Sequence, residues 1–121
     1  MKRDYSLYLK DILDSIDKIE SFTKDMSFEG FVEDEKTSSA VIKKLEVMGE
    51  ASKQIPDIIK TNYANIPWKD MAAMRDKTTH FYFGVDYEII WKVVVKELPK
   101  IKPEISRILR EIEELNYAFN R

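Results

Sequence analysis

The sequence has no cysteine and a single histidine in its 121 residues. Without a thiol there is no thiolate nucleophile, no disulfide and no Cys-based zinc site. One imidazole also excludes a multi-histidine metal centre or a histidine pair within one chain, so any histidine chemistry runs through His80. No apolar run approaches the roughly 18 residues needed to span a bilayer. The N-terminus, Met1-Lys2-Arg3-Asp4-Tyr5, leads into a charged helical pattern and lacks the apolar core of a signal peptide. These absences predict a soluble, cytoplasmic protein with no membrane association. Positive charge is not in excess either: 20 basic residues face 22 acidic ones, a formal charge of −2. A surface coated in basic residues for nucleic acid is therefore excluded. The segment 68–102 departs from this balance with seven basic and five acidic residues, enough for a small phosphate-facing site. A chain of this length buries roughly two-thirds of its unfolded surface and supports one core, so a single domain over 1–121 is expected.

With only three Gly and four Pro, the punctuation is sparse and the periodicity is helical. Tyr5, Tyr8, Ile12, Ile16, Ile19, Phe22 and Met26 recur at steps of three or four, one apolar stripe on a first helix. A loop over 27–35 holds Gly30 and a Phe28/Phe31 cluster, read as a short turn tucked onto the core. Asp34 or Thr37 can cap a second helix carrying Val41, Leu45, Met48, Ser52, Ile55 and Ile59. Within it Gly49, Ala51 and Ser52 make a small-residue patch for close helix approach, and Pro56 predicts a kink or stop near Gln54. Pro67 sits where a first helical position is expected, ahead of Trp68, Met71 and Ala72. Asp86 is the N-cap expected for a fourth helix. There Val93-Val94-Val95 is read as helical despite its β-branching, because its flanks keep the three-to-four period. Pro99 and Pro103 are expected to break or bend the chain before a last helix carrying Ile105, Ile108, Ile112, Leu115 and Phe119. The fold expected is all-α: an antiparallel up-and-down bundle of four to five helices.

Chemistry concentrates in Met74-Arg75-Asp76-Lys77-Thr78-Thr79-His80-Phe81-Tyr82-Phe83-Gly84. Arg75 and Tyr82 are seven apart and return to one helix face, whereas Arg75 and His80 differ by about 140° on a straight helix. Convergence of those two requires His80 at a helix end or kink. Asp76, four before His80, could orient the imidazole or pair with Arg75. A guanidinium offers paired donors to phosphate oxygens, and an imidazole titrating near pH 6.5 moves protons at neutral pH. RNA brings its own nucleophile in the 2′-OH. Acid and base are usually both needed, and a two-fold dimer would supply the second histidine. On the residues alone a packed, hydrogen-bonded histidine is the commoner role in such an aromatic context. Trp68 and Trp91 read as core or dimer contacts, and Lys92, Lys96, Lys100 and Lys102 as a solvated face that could steer RNA.

The sequence resembles the HEPN superfamily, specifically the HepT-like toxins of prokaryotic minimal nucleotidyltransferase operons. Their Arg-x-x-x-x-His-x-Tyr motif is matched by Arg75, His80 and Tyr82. Further similar stretches are Tyr8-Leu9-x-Asp11-Ile12, Ser27-Phe28-x-x-Phe31, Gly49-Glu50-Ala51, Ile66-Pro67-Trp68 and Tyr82-Phe83-Gly84-Val85-Asp86 with Trp91. The resemblance covers essentially the whole chain. It implies a HEPN-like homodimer with Arg75 and His80 of both subunits lining a shared cleft, supported by Asp76. It implies the toxin of a HepT/MntA type VII toxin-antitoxin pair. The activity implied is a metal-independent endoribonuclease, without cofactor, that leaves a 2′,3′-cyclic phosphate. Tyr82 is implied as the residue to which a cognate MntA-like nucleotidyltransferase antitoxin attaches AMP. The alternative is a non-catalytic subunit that docks such a nucleotidyltransferase.

Overall fold

Asp4 opens the first helix, α1 (Tyr5–Thr23), by accepting from the Ser6 amide at 2.9 Å. In the computed structural model the described residues are 4–79 and 86–119, with 75–79 described as backbone only. After α1 come α2 (Phe28–Glu33), α3 (Glu35–Lys53), α4 (Asp57–Asn62), α5 (Trp68–Thr79) and α6 (Tyr87–Lys92). A π-helical turn (Val93–Glu97) then leads without interruption into α7 (Leu98–Phe119). No strand occurs among the described residues. The architecture is the all-α bundle expected, built on four long bars: α1, α3, α5 and the rod from α6 through α7. The two six-residue helices, α2 and α4, sit in the connections.

α3 is the central bar, packing against α1 on one side and α5 on the other, while α7 covers α1. Leu9, Ile12, Ile16 and Ile19 of α1 meet Val41, Leu45 and Met48 of α3, all buried. The small-residue patch behaves as its composition predicts: Gly49, Ala51 and Ser52 are buried, and the Ser52 hydroxyl donates to the Met48 carbonyl at 2.8 Å. Two lysines give the sense of α7 against α1. Lys102 bridges Asp17 and Glu20, at 3.0 and 2.9 Å, and Lys10 meets Glu113 at 3.8 Å, so numbers fall along one helix as they rise along the other. α2 docks on α6 through aromatics, with Phe31 fully buried, edge-on to Tyr87 and 5.1 Å from Trp91.

Several details depart from the sequence reading. The first helix stops at Thr23, so Met26 lies beyond it. No glycine is available there, and Asp25 takes the left-handed conformation (φ 62°) that reverses the chain. The α1 stripe is also shifted: Leu9 is buried and Phe22 is exposed. The second pattern, by contrast, stops where Pro56 led us to expect, α3 ending at Lys53 and α4 starting at Asp57. Pro99 and Pro103 do not break the chain. The Leu98 amide donates to Val93 five residues back, so a π-turn takes up the change in register before Pro99, and Pro99 falls in the first turn of α7. Pro103 lies within α7 on an exposed position, as does Pro99 one turn earlier, where the carbonyl left without an amide partner can face water. The valine run lies in this turn and on no strand. The last stripe outruns the core: Ile105, Ile108 and Ile112 are buried, whereas Leu115 and Phe119 are 58% and 80% exposed.

Truncation therefore has opposite consequences along one helix. Ile105→Ala should cost about 2–5 kcal/mol in urea denaturation, and Leu115→Ala should stay within about 0.5 kcal/mol of the parent; equal effects would contradict this boundary of the core.

Candidate active site

Helix α5 carries the Arg75 segment, and its placement begins one loop earlier. Ile66 and Trp68 are buried, and the Trp68 indole N–H donates to the Tyr63 carbonyl at 3.1 Å. The same loop is fastened to α7. The Tyr63 hydroxyl donates to Glu111, and the Arg107 guanidinium lies 5.4 Å from the centre of the Tyr63 ring. Arg107 also donates to Glu104 at 2.8 Å and Glu111 at 3.1 Å, and Asn65 donates to Glu104 at 2.9 Å. Charge follows this geometry. The Tyr63 hydrogen bond holds the Glu111 carboxyl below its ordinary range, Arg107 does the same for Glu104, and the Glu111 carboxylate raises the Tyr63 phenol.

From that anchor α5 runs past buried Met71 and half-buried Met74 to Arg75, one turn after Met71, and Asp76. The backbone of both residues is helical. His80 and Tyr82 lie outside the described residues, so the helix end or kink required at His80 does too. The described chain resumes at Asp86, which caps α6 as its sequence predicts, accepting from the Ile89 amide at 3.2 Å. The structure thus places Arg75 and Asp76 on α5 and gives no geometry linking them to His80 or Tyr82.

Between α5 and the α6–π-turn rod lies a groove of about 290 Å³. Asp70 and Met74 line one wall, Lys92 and Glu97 the other, and Met48 and Ile101 also line it. It is apolar with a few charged groups, the usual make-up of a ligand groove, and Met74 in its lining is the residue that precedes Arg75. The sequence reading missed this groove and the Tyr63 fastening. Lys92 was legible only as part of a charged face. Tyr63 and Glu111 stand 48 residues apart, so no local pattern joins them. Among the described residues no group of three or more His, Cys, Asp or Glu side chains gathers, and no helix is long and apolar enough to cross a membrane.

A helical bundle whose sequence carries Arg-x-x-x-x-His-x-Tyr, with the arginine on its third bar, defines a class, and comparison with known proteins gives the family. Residues 12–108 match the family described as "Ribonuclease HepT-like". The chain is 47% identical over 108 residues to the "Probable ribonuclease HepT" of Thermococcus cleftensis, covering 89% of this chain and 98% of that protein. It is 48% identical over 113 residues to "Putative RNase MJ0125" of Methanocaldococcus jannaschii, covering 93% and 97%. It is also 46% identical over 112 residues to "Putative RNase MJ0127" of that organism, covering 93% of each. The chain belongs to the HepT-like ribonuclease family. No solved structure gives a significant match.

The Tyr63 fastening has a pH signature. Glu104 and Glu111 titrate below their ordinary value of 4.5 when folded, so their contribution is present above that value and fades as pH falls through the lowered one. Tyr63 titrates above its ordinary 10.0, so its contribution is present below pH 10.0 and fades as pH rises through the raised value. Tyr63→Phe should flatten the melting temperature against pH on both flanks. An unchanged profile would show that the Tyr63–Glu111 hydrogen bond contributes nothing to the anchor.

Proposed function

We propose that the chain is a single-domain, metal-independent endoribonuclease that acts as a homodimer and serves as the toxin of a toxin-antitoxin pair in the cytoplasm. The observation that carries this reading is the Arg75, His80, Tyr82 spacing on and after α5, in a chain whose match to the HepT-like ribonucleases spans residues 12–108.

The chemistry asks little of the protein. A histidine acting as base takes the proton from the ribose 2′-OH as its oxygen attacks the adjacent phosphorus. The P–O5′ bond breaks, and a second histidine acting as acid returns a proton to the departing 5′-oxygen. The products are a 2′,3′-cyclic phosphate and a 5′-hydroxyl. The nucleophile comes from the substrate, so neither a metal-bound hydroxide nor a protein nucleophile is required. One His80 per chain supplies one of the two proton-transfer groups, and a second copy across a two-fold axis supplies the other. Arg75 stabilises the extra negative charge on the five-coordinate phosphorus, and Asp76 orients Arg75 or the imidazole.

The switch in this reading is Tyr82. Its phenol oxygen attacks the α-phosphorus of ATP on a cognate MntA-like nucleotidyltransferase, pyrophosphate leaves, and AMP remains on the ring. The added phosphates would compete with RNA for Arg75.

His80→Ala should lower RNA cleavage in the absence of divalent metal by roughly 10²–10⁴-fold with helical circular dichroism unchanged. If parent and variant are equally inert, the chain is instead a binding subunit that docks the nucleotidyltransferase. In the second test, intact-mass analysis after incubation with the cognate enzyme and ATP should show AMP increments on the parent and none on Tyr82→Phe. Labelling that survives in the variant places the acceptor elsewhere.

A further inference from the structure

A second groove, of about 350 Å³, runs between α2 and the α6–π-turn rod. Phe28 and Trp91 form an aromatic wall, ring centres 6.4 Å apart and tilted by 50°, and Trp91 is braced from behind by buried Phe31. Lys92 and Lys96 line the same groove with Val95 and a single carboxylate, Glu88. Val95 is 45% exposed, an apolar side chain left at the surface between two exposed lysines. Neither lysine enters an ion pair among the described residues, whereas Lys102, on the same rod, is held by Asp17 and Glu20. Lys92 has a second role: it also lines the groove beside Met74, the residue before Arg75. The two grooves therefore meet at one cation.

We propose that the Phe28/Trp91/Lys92/Lys96 groove is a subsite for single-stranded RNA, one base lying on the aromatic wall and the flanking phosphates on the lysines. From there the strand continues past Lys92 toward the Arg75 segment. The proposal rests on the endoribonuclease reading and extends it from cleavage to substrate choice. Aromatic faces beside unpaired cations are the means by which proteins hold single strands without reading sequence. In a duplex the bases are stacked inside and cannot reach such a wall, so the groove selects unpaired RNA. Glu88 can accept from an exocyclic base amine and keeps phosphates on the lysine side.

The test uses the full chain and a short single-stranded RNA bearing 2′-O-methyl groups, which cannot be cleaved, with a duplex of equal length as control. Binding is read by fluorescence anisotropy across salt concentrations. Lys92→Glu combined with Lys96→Glu should weaken single-strand binding roughly tenfold and reduce the salt slope by about 0.7 per lost phosphate contact. Trp91→Leu should weaken it comparably; should that variant misfold, Phe28→Leu tests the same wall. The oligonucleotide should quench tryptophan emission in the parent, and that quenching should be lost in Trp91→Leu. Unchanged affinity and slope in the double lysine variant overturn the proposal. So does an equal loss for duplex and single strand, or a changed oligomer mass in light scattering with RNA binding intact, which would make this face a protein interface. Cleavage by the parent together with unaffected binding in the lysine variant removes the subsite alone. Binding lost in that variant while the parent never cleaves RNA removes the nuclease reading alone.

Discussion

The helix that carries Arg75 buries side chains in its first turn or so, and the hydrogen bond from the Trp68 indole to the Tyr63 carbonyl fixes where that helix begins. Residues 75–79 read Arg-Asp-Lys-Thr-Thr, with no apolar side chain to hold a helix down. The direction of this polar half follows from Trp68 and Met71, seated against the rest of the bundle. A buried indole N–H without a partner would cost on the order of 1–3 kcal/mol, so the loop carbonyl and the tryptophan must move together. That loop is tied in turn to α7 by Tyr63, Asn65 and the Glu104–Arg107–Glu111 set. The polar segment is therefore placed by contacts made several residues before it.

The π-turn plays the corresponding part on the opposite side of the groove. A stretch with amide bonds five residues back widens the helix locally, and such turns are frequent at functional sites. Here it lies where α6 becomes α7 and lets the rod continue through Pro99. Lys92 immediately precedes it and Lys96 lies within it. Val94 and Leu98 stay in the core on the other side. One change in backbone register thus reconciles a buried Val94, a proline pair and an outer face of lysines.

Legibility in the sequence followed the range of the interaction. Caps act over three residues, and Asp34 and Asp86 were readable because each needs only its own helix: Asp34 accepts from the Thr37 amide and hydroxyl at 3.0 and 2.7 Å. Pro56 was readable for the same reason. Periodicity identified most of α1 but misjudged its flanks, since only the packing of α3 and α7 decides that Leu9 goes inside and Phe22 stays out. Proline rules failed at Pro99 and Pro103 because a π-turn is a compromise among several residues, with no single-residue signal. At the site the motif spacing was visible by eye, while the grooves on either side of the α6–π-turn rod exist only once α2, α5 and that rod have been brought together.

Net charge shows most clearly why sums mislead. A formal charge of −2 argues against a nucleic-acid surface, yet ion pairing redistributes it. Asp17 and Glu20 are met by Lys102, Glu104 and Glu111 by Arg107, and Glu113 by Lys10. Three cations thus offset part of the charge of five carboxylates on α1 and α7. Lys92, Lys96 and Lys100 recur at one-turn steps with no such partner among the described residues. Over a Debye length of about 8 Å at physiological salt, an anionic strand responds to those unpaired lysines more than to carboxylates across the bundle. A mildly acidic protein can in this way present a locally basic groove, and the local field, not the total charge, sets which surface an RNA meets first.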